Sequence, residues 1–141
     1  MATWQFGPFD NDEAVEWCAA LEATEPDLRA ELVRATLAMA SSSAGTLTGD
    51  EAARAVAAAA VVLQMVTGRP VSKSAYSPQL VGEDVQVGPE VRHLAVRALD
   101  VVLAVGSVWR QLWHDDVEED EAIAVVETLR RALLSSGRHP A

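Results

Sequence analysis

The chain is short of several residues that small proteins depend on. It has one cysteine, Cys18, so no intrachain disulfide can form and no cysteine cluster can hold a metal. Lys73 is its only lysine. It has no Gly-x-x-x-x-Gly-Lys or Gly-x-Gly-x-x-Gly run, which leaves phosphate and dinucleotide binding unsupported. The longest apolar run, residues 55–63, falls far short of the roughly 20 residues that span a bilayer. The start, MATWQFGPFDNDE, has no basic region, apolar stretch or small-residue cleavage site. It does not read as a signal peptide, and the expected location is cytoplasmic. Positive charge is scarce as well: 11 Lys and Arg against 21 Asp and Glu leave a net charge of −10. Nucleic acid would need the opposite sign, whereas solubility or a basic protein partner suits an acidic chain.

What remains is apolar and helix-forming. Half of the 141 residues are hydrophobic, mostly Ala, Val and Leu, which argues against disorder and allows one buried core. Four of the few aromatics are tryptophan: Trp4, Trp17, Trp109 and Trp113. Gly7 and Pro8 mark residues 1–11 as extended and turn-like. Asp10 with Glu13 suggests a capping box for a first helix over 11–23, with Ala14, Trp17, Cys18 and Leu21 inward and Glu13 and Glu16 wet. A second helix over 26–40 opens on Pro26, with Leu28, Leu32, Ala35 and Met39 as its expected inward stripe. Thr48-Gly49-Asp50-Glu51 is a clear capping box, and the third helix, 50–66, is apolar nearly all round, as a central helix must be.

Residues 67–88 carry Pro70, Pro78, Gly82 and Gly88 and read as a long loop. Pro89 starts a fourth helix whose stripe runs through Val91, Leu94, Ala95, Ala98, Val102 and Val105, ending near Gly106. Ser107 caps a short fifth helix through Trp113, placing Trp109 and Trp113 on one face. The last helix begins within the acidic run 115–121 and turns Ala122, Val126, Leu129 and Leu133 inward, widened by Ile123. The expected fold is all-α: one domain over residues 1–141, a bundle of five to six helices with an extended N-terminal segment and one long loop.

The stretch Trp4-Gln5-Phe6-Gly7-Pro8-Phe9-Asp10-Asn11-Asp12-Glu13-Ala14-Val15-Glu16-Trp17 resembles the opening of a bacterial family of small helical proteins, domain of unknown function 4259. The match falls on Trp4, Gly7, Phe9, Asp10, Asn11, Asp12, Ala14 and Trp17, with departures at Gln5 and Phe6. The Ala-rich third helix and Arg97-Ala98-Leu99-Asp100 leading to Leu112-Trp113 are weaker echoes. The resemblance implies a helical fold and a bacterial source. It implies no activity.

Candidate sites compete with plain structural roles. Trp4, Phe6, Phe9, Asp10, Asn11, Asp12 and Trp17 could form a binding surface, or could plug the bundle end and cap the first helix. Trp109 and Trp113 could anchor a partner, or pack on the core. Asp115, Asp116, Glu118, Glu119, Asp120 and Glu121, with His114, could offer oxygen ligands to a cation, but acids at a helix start fan outward into water. His93, His114 and His139, with Ser41–Ser43, Ser107 and Cys18, match no nucleophile signature. No cofactor and no metal are therefore expected. The favoured function is a non-enzymatic protein-interaction module with a basic protein partner, an immunity or antitoxin-like protein being one concrete form. The rival is a small ligand-binding protein or enzyme with a pocket under the 67–88 loop, lined by Tyr76, Trp109 or Trp113. Sequence leaves open whether the chain is a monomer or a homo-oligomer.

Overall fold

Local chemistry explains where the helices begin. The computed structural model describes residues 8–9, 11–43, 47–68 and 88–136. Among these lie six helices and no strand: α1 (Asp12–Ala23), α2 (Pro26–Ser41), α3 (Gly49–Thr67), α4 (Pro89–Leu103), α5 (Val108–Trp113) and α6 (Glu119–Ser136). The all-α bundle is thus as expected. The extended N-terminal segment and the long loop lie almost wholly outside the described residues.

Pro26 and Pro89 open α2 and α4, where a missing N–H costs nothing. At α3 the capping box closes in both directions: the Glu51 amide donates to Thr48 Oγ1 (3.1 Å), and the Thr48 amide donates to Glu51 Oε1 (2.9 Å). Gly68 ends α3 with φ 72°, a left-handed conformation that glycine adopts without the Cβ penalty. Of the two cap candidates for α1, Asp10 and Asn11, the structure uses Asn11. Asn11, not Asp10, accepts the Ala14 amide (2.8 Å), and Glu13 is released to pair with Arg54 of α3 (3.1 Å). Asp10 itself lies outside the described residues.

Helix α3 is the axis of the bundle and touches every other helix. Its buried residues run from Ala52 through an unbroken stretch, 55–64, as the sequence requires of a central helix. Ala57, Ala58, Ala59 and Ala60 are fully buried, and side chains this small let neighbouring backbones approach closely. On α6 the expected stripe of Ala122, Val126, Leu129 and Leu133 is the buried one.

Two faces differ from expectation. On α2 the buried residues are Val33, Leu37 and Ala40, while Leu28, Ala35 and Met39 are exposed and Leu32 is half-buried. This helix carries two apolar sets at helical spacing, and packing against α4 and α3 selects the second. Helix α4 stops at Leu103, short of Gly106, and buries Val91, Ala95, Val96, Ala98, Leu99 and Val102. Leu94 is half-buried and Val105 is exposed. The early stop has a tertiary cause. Ser107 Oγ donates to the Val102 carbonyl (2.7 Å), and Arg110 Nη1 donates to the Leu103 carbonyl (3.0 Å), so α5 takes the terminal acceptors of α4.

The register of α2 is directly measurable. Leu37→Ala should cost about 2–5 kcal/mol of unfolding free energy, as buried leucines do, whereas Leu28→Ala should stay within about 0.5 kcal/mol of the parent chain. Urea melts of the two variants check this, and the reverse order would place the other stripe in the core.

Candidate functional site

Two regions drew attention in sequence: the opening motif and the Trp109–Glu121 stretch. Within the first, Phe9 and Trp17 are buried in the core cluster, Asn11 is the cap of α1, and Asp12 is exposed in its first turn. Trp17 spans two helices: its indole N–H donates to Thr36 Oγ1 of α2 (3.1 Å), and that hydroxyl in turn donates to the Leu32 carbonyl (2.9 Å). A buried tryptophan thus has its polar atom satisfied. Trp4, Phe6, Asp10 and Tyr76 lie outside the described residues, as does the pocket expected beneath the long loop.

Trp109 and Trp113 do share a face, with ring centroids 6.4 Å apart and planes tilted by 55°. Trp113 is buried, and Trp109 is half-buried against the core. The Ser107 hydroxyl that caps α5 accepts the Arg110 amide (3.1 Å). Beyond Trp113 the acidic run folds onto itself. Asp116 Oδ1 accepts the Glu118 amide (2.8 Å), and Asp115 takes φ 64°, one of the few left-handed conformations that aspartate tolerates. His114 lies between Asp115 (3.5 Å) and Glu119 (3.9 Å). Among the described residues no three His, Cys, Asp or Glu side chains come together as a group able to hold a metal ion.

The possible nucleophiles are committed elsewhere. Ser41, Ser42 and Ser43 hydroxyls donate to carbonyls at the end of α2. Cys18 is buried, and burial pushes its thiol up to about 12, with the Glu22 carboxylate adding to the shift. His93 is exposed, and its ring nitrogen Nε2 is 3.3 Å from Arg92 Nη2.

Sequence suggests Arg130 and Arg131 for the end of the last helix, but its last turn holds no basic residue, and the arginines that serve helix ends are others. Arg29 donates to the carbonyls of Leu21, Glu22 and Thr24, closing the end of α1. Arg110 does the same for α4, and Arg92 donates to the Leu133 carbonyl near the end of α6 (3.1 Å). Three guanidinium groups therefore neutralise three helix C-termini from neighbouring turns or helices. Arg34 pairs with Glu31, holding that carboxyl below its usual range through a hydrogen bond, and Arg130 pairs with Asp100. Apolar exposure was the second omission. Val105, Val108, Leu112 and Val117 all face solvent in the stretch around α5.

The described residues define an all-α helical bundle. The profile of the family described as domain of unknown function (DUF4259) matches residues 2–130, and the chain belongs to that family. No curated protein and no solved structure matches it. No described helix is long and apolar enough to cross a membrane.

Because Cys18 stays protonated in the folded chain, it should resist alkylation at pH 8 and react fully once the chain is unfolded in urea. The same displacement has a pH consequence. Unfolding lets the thiol ionise at about 9, so native stability is intact below that pH and is lost progressively as pH rises toward about 12. The slope approaches about 1.4 kcal/mol per pH unit for one proton, and denaturant melts of Cys18→Ala should lose that component.

Proposed function

We propose that the chain is a non-enzymatic interaction protein whose partner is a basic protein. One observation carries this reading: how the two signs of charge are distributed. Six arginines are engaged with the fold, three at helix ends (Arg29, Arg92, Arg110) and three in surface ion pairs (Arg34, Arg54, Arg130). Acids such as Glu16, Asp27, Asp50, Asp115, Asp120 and Glu121 are exposed. With 21 acids against 11 bases, the field presented to a partner is negative. Such a field steers and orients a cationic protein. Neutralisation of a basic toxin, in the manner of an immunity or antitoxin protein, is a specific form of this reading.

Capture with a C-terminally tagged chain from the organism that encodes it tests the proposal. The expected result is one stoichiometric partner of basic composition, released as salt rises from about 0.1 to 1 M because the contact is screened. An acidic or neutral partner, or one retained undiminished at high salt, would overturn it. For the narrower form, the partner should be toxic when expressed alone and harmless when co-expressed with this chain.

A further inference from the structure

We infer that the face formed around α5 is where the partner docks, and that the docking element is a basic amphipathic helix. This inference rests on the basic-partner reading above and gives it a location. Val108 and Leu112 are four residues apart on α5 and so share a side of it, and both are exposed. Val105, in the turn before α5, is 95% exposed, and Val117, in the turn after it, is 94% exposed. Leu112 is 61% exposed, and its Cδ1 reaches over Gly49, at a spot that any Cβ on residue 49 would occupy. Leu112 therefore lies against the start of α3. Four aliphatic side chains are thus open to water within α5 and the turns that flank it.

The charge around this strip selects its occupant. Asp50 stands next to Gly49, and Asp115, Asp116, Asp120 and Glu121 follow Leu112 in the turn and first residues of α6. Arg110, the cation on α5 itself, is turned to the Leu103 carbonyl, and His114 lies between two carboxylates. A second copy of this chain would bring like charge to like across the strip. A helix with aliphatic residues on one side and lysine or arginine along its flanks satisfies both features at once.

The full chain can be titrated with a fluorescein-labelled helical peptide of about 18 residues, leucine on one face and lysine on the other, and binding read by anisotropy. Two comparison peptides replace lysine by glutamate or leucine by serine. The leucine–lysine peptide should bind, and both comparison peptides should bind at least about tenfold more weakly. Val105→Ser with Val117→Ser should weaken the leucine–lysine peptide by about tenfold with an unchanged melting temperature, because both side chains are exposed, and Asp120→Asn with Glu121→Gln should weaken it by several-fold with a slightly lowered melting temperature, because both carboxylates lie in the first turn of α6. Undiminished binding to the valine variant would overturn the location while leaving the basic-partner reading intact. Equal binding of the serine peptide would overturn the apolar contact, and no binding of the leucine–lysine peptide would overturn the helical occupant. Sedimentation showing that the parent chain dimerises and the valine variant does not would reassign the face to self-association. Failure of the wider reading would show separately, in the composition and salt response of the captured partner.

Discussion

Everything in the bundle depends on how closely the other helices can approach α3. Its four consecutive fully buried alanines leave no bulk on any side, so helices before and after it in the chain pack against the same cylinder. Backbone polar groups in such a helix are satisfied internally, which is why it can be covered all round at little cost. Dispersion between closely packed backbones and short side chains then replaces the large aromatic core that this composition lacks. Larger side chains line the helices facing α3: Leu21 on α1, Leu37 on α2, Leu99 on α4 and Leu133 on α6 are all fully buried. Small residues at the centre and leucines around it fill space together. Added volume at the centre would have to displace several helices at once.

A bundle built this way has many helix ends and few residues with which to finish them. Several C-termini lack an adjacent glycine, so their carbonyls are met by side chains instead. Arginine reaches them from the next element or from a neighbouring helix, as Arg29, Arg92 and Arg110 show. Its planar fork can serve more than one carbonyl, as Arg29 does for three, and its charge complements the negative end of the helix dipole. Each guanidinium held against a helix end has its geometry fixed by the carbonyls it serves.

The parts of the fold that were legible in sequence are those decided within a few residues of the chain. The Thr48–Glu51 box, the prolines at 26 and 89 and the Ser107 cap are local events, and their helices begin where these residues indicate. The α6 stripe was legible because one face is apolar and the other is charged. The α2 face was not. Leu28, Leu32 and Met39 compete with Val33, Leu37 and Ala40 at equal spacing, and only the positions of α3 and α4 decide between them. Asn11 was one of two cap candidates for α1 beside Asp10, whereas the Glu13–Arg54 pair, 41 residues apart, was not legible at all. In the candidate site, the shared face of the two tryptophans followed from their spacing. The arginine contacts and the exposed aliphatic strip did not, because both depend on which residues the tertiary fold leaves in solvent.

That strip shows how an apolar pattern can mislead. Val105 continues the inward periodicity of α4 in sequence, and an uninterrupted helix would have kept it on that face. The fold ends α4 two residues earlier by supplying Ser107 and Arg110 to its last carbonyls, and Gly106 then turns the chain at φ 85°. Val105 is thereby carried out of the core register into water, beside a helix too short to bury both of its sides. Val108 and Leu112 stay outside because Trp109 and Trp113 take the inner side of α5. One set of hydrogen bonds thus closes α4 and leaves Val105 in water, so that exposure is a by-product of how the end of α4 is finished. Changing that face while keeping the fold therefore means substituting the exposed valines themselves, since replacing Ser107 or Arg110 would disturb the end of α4 as well.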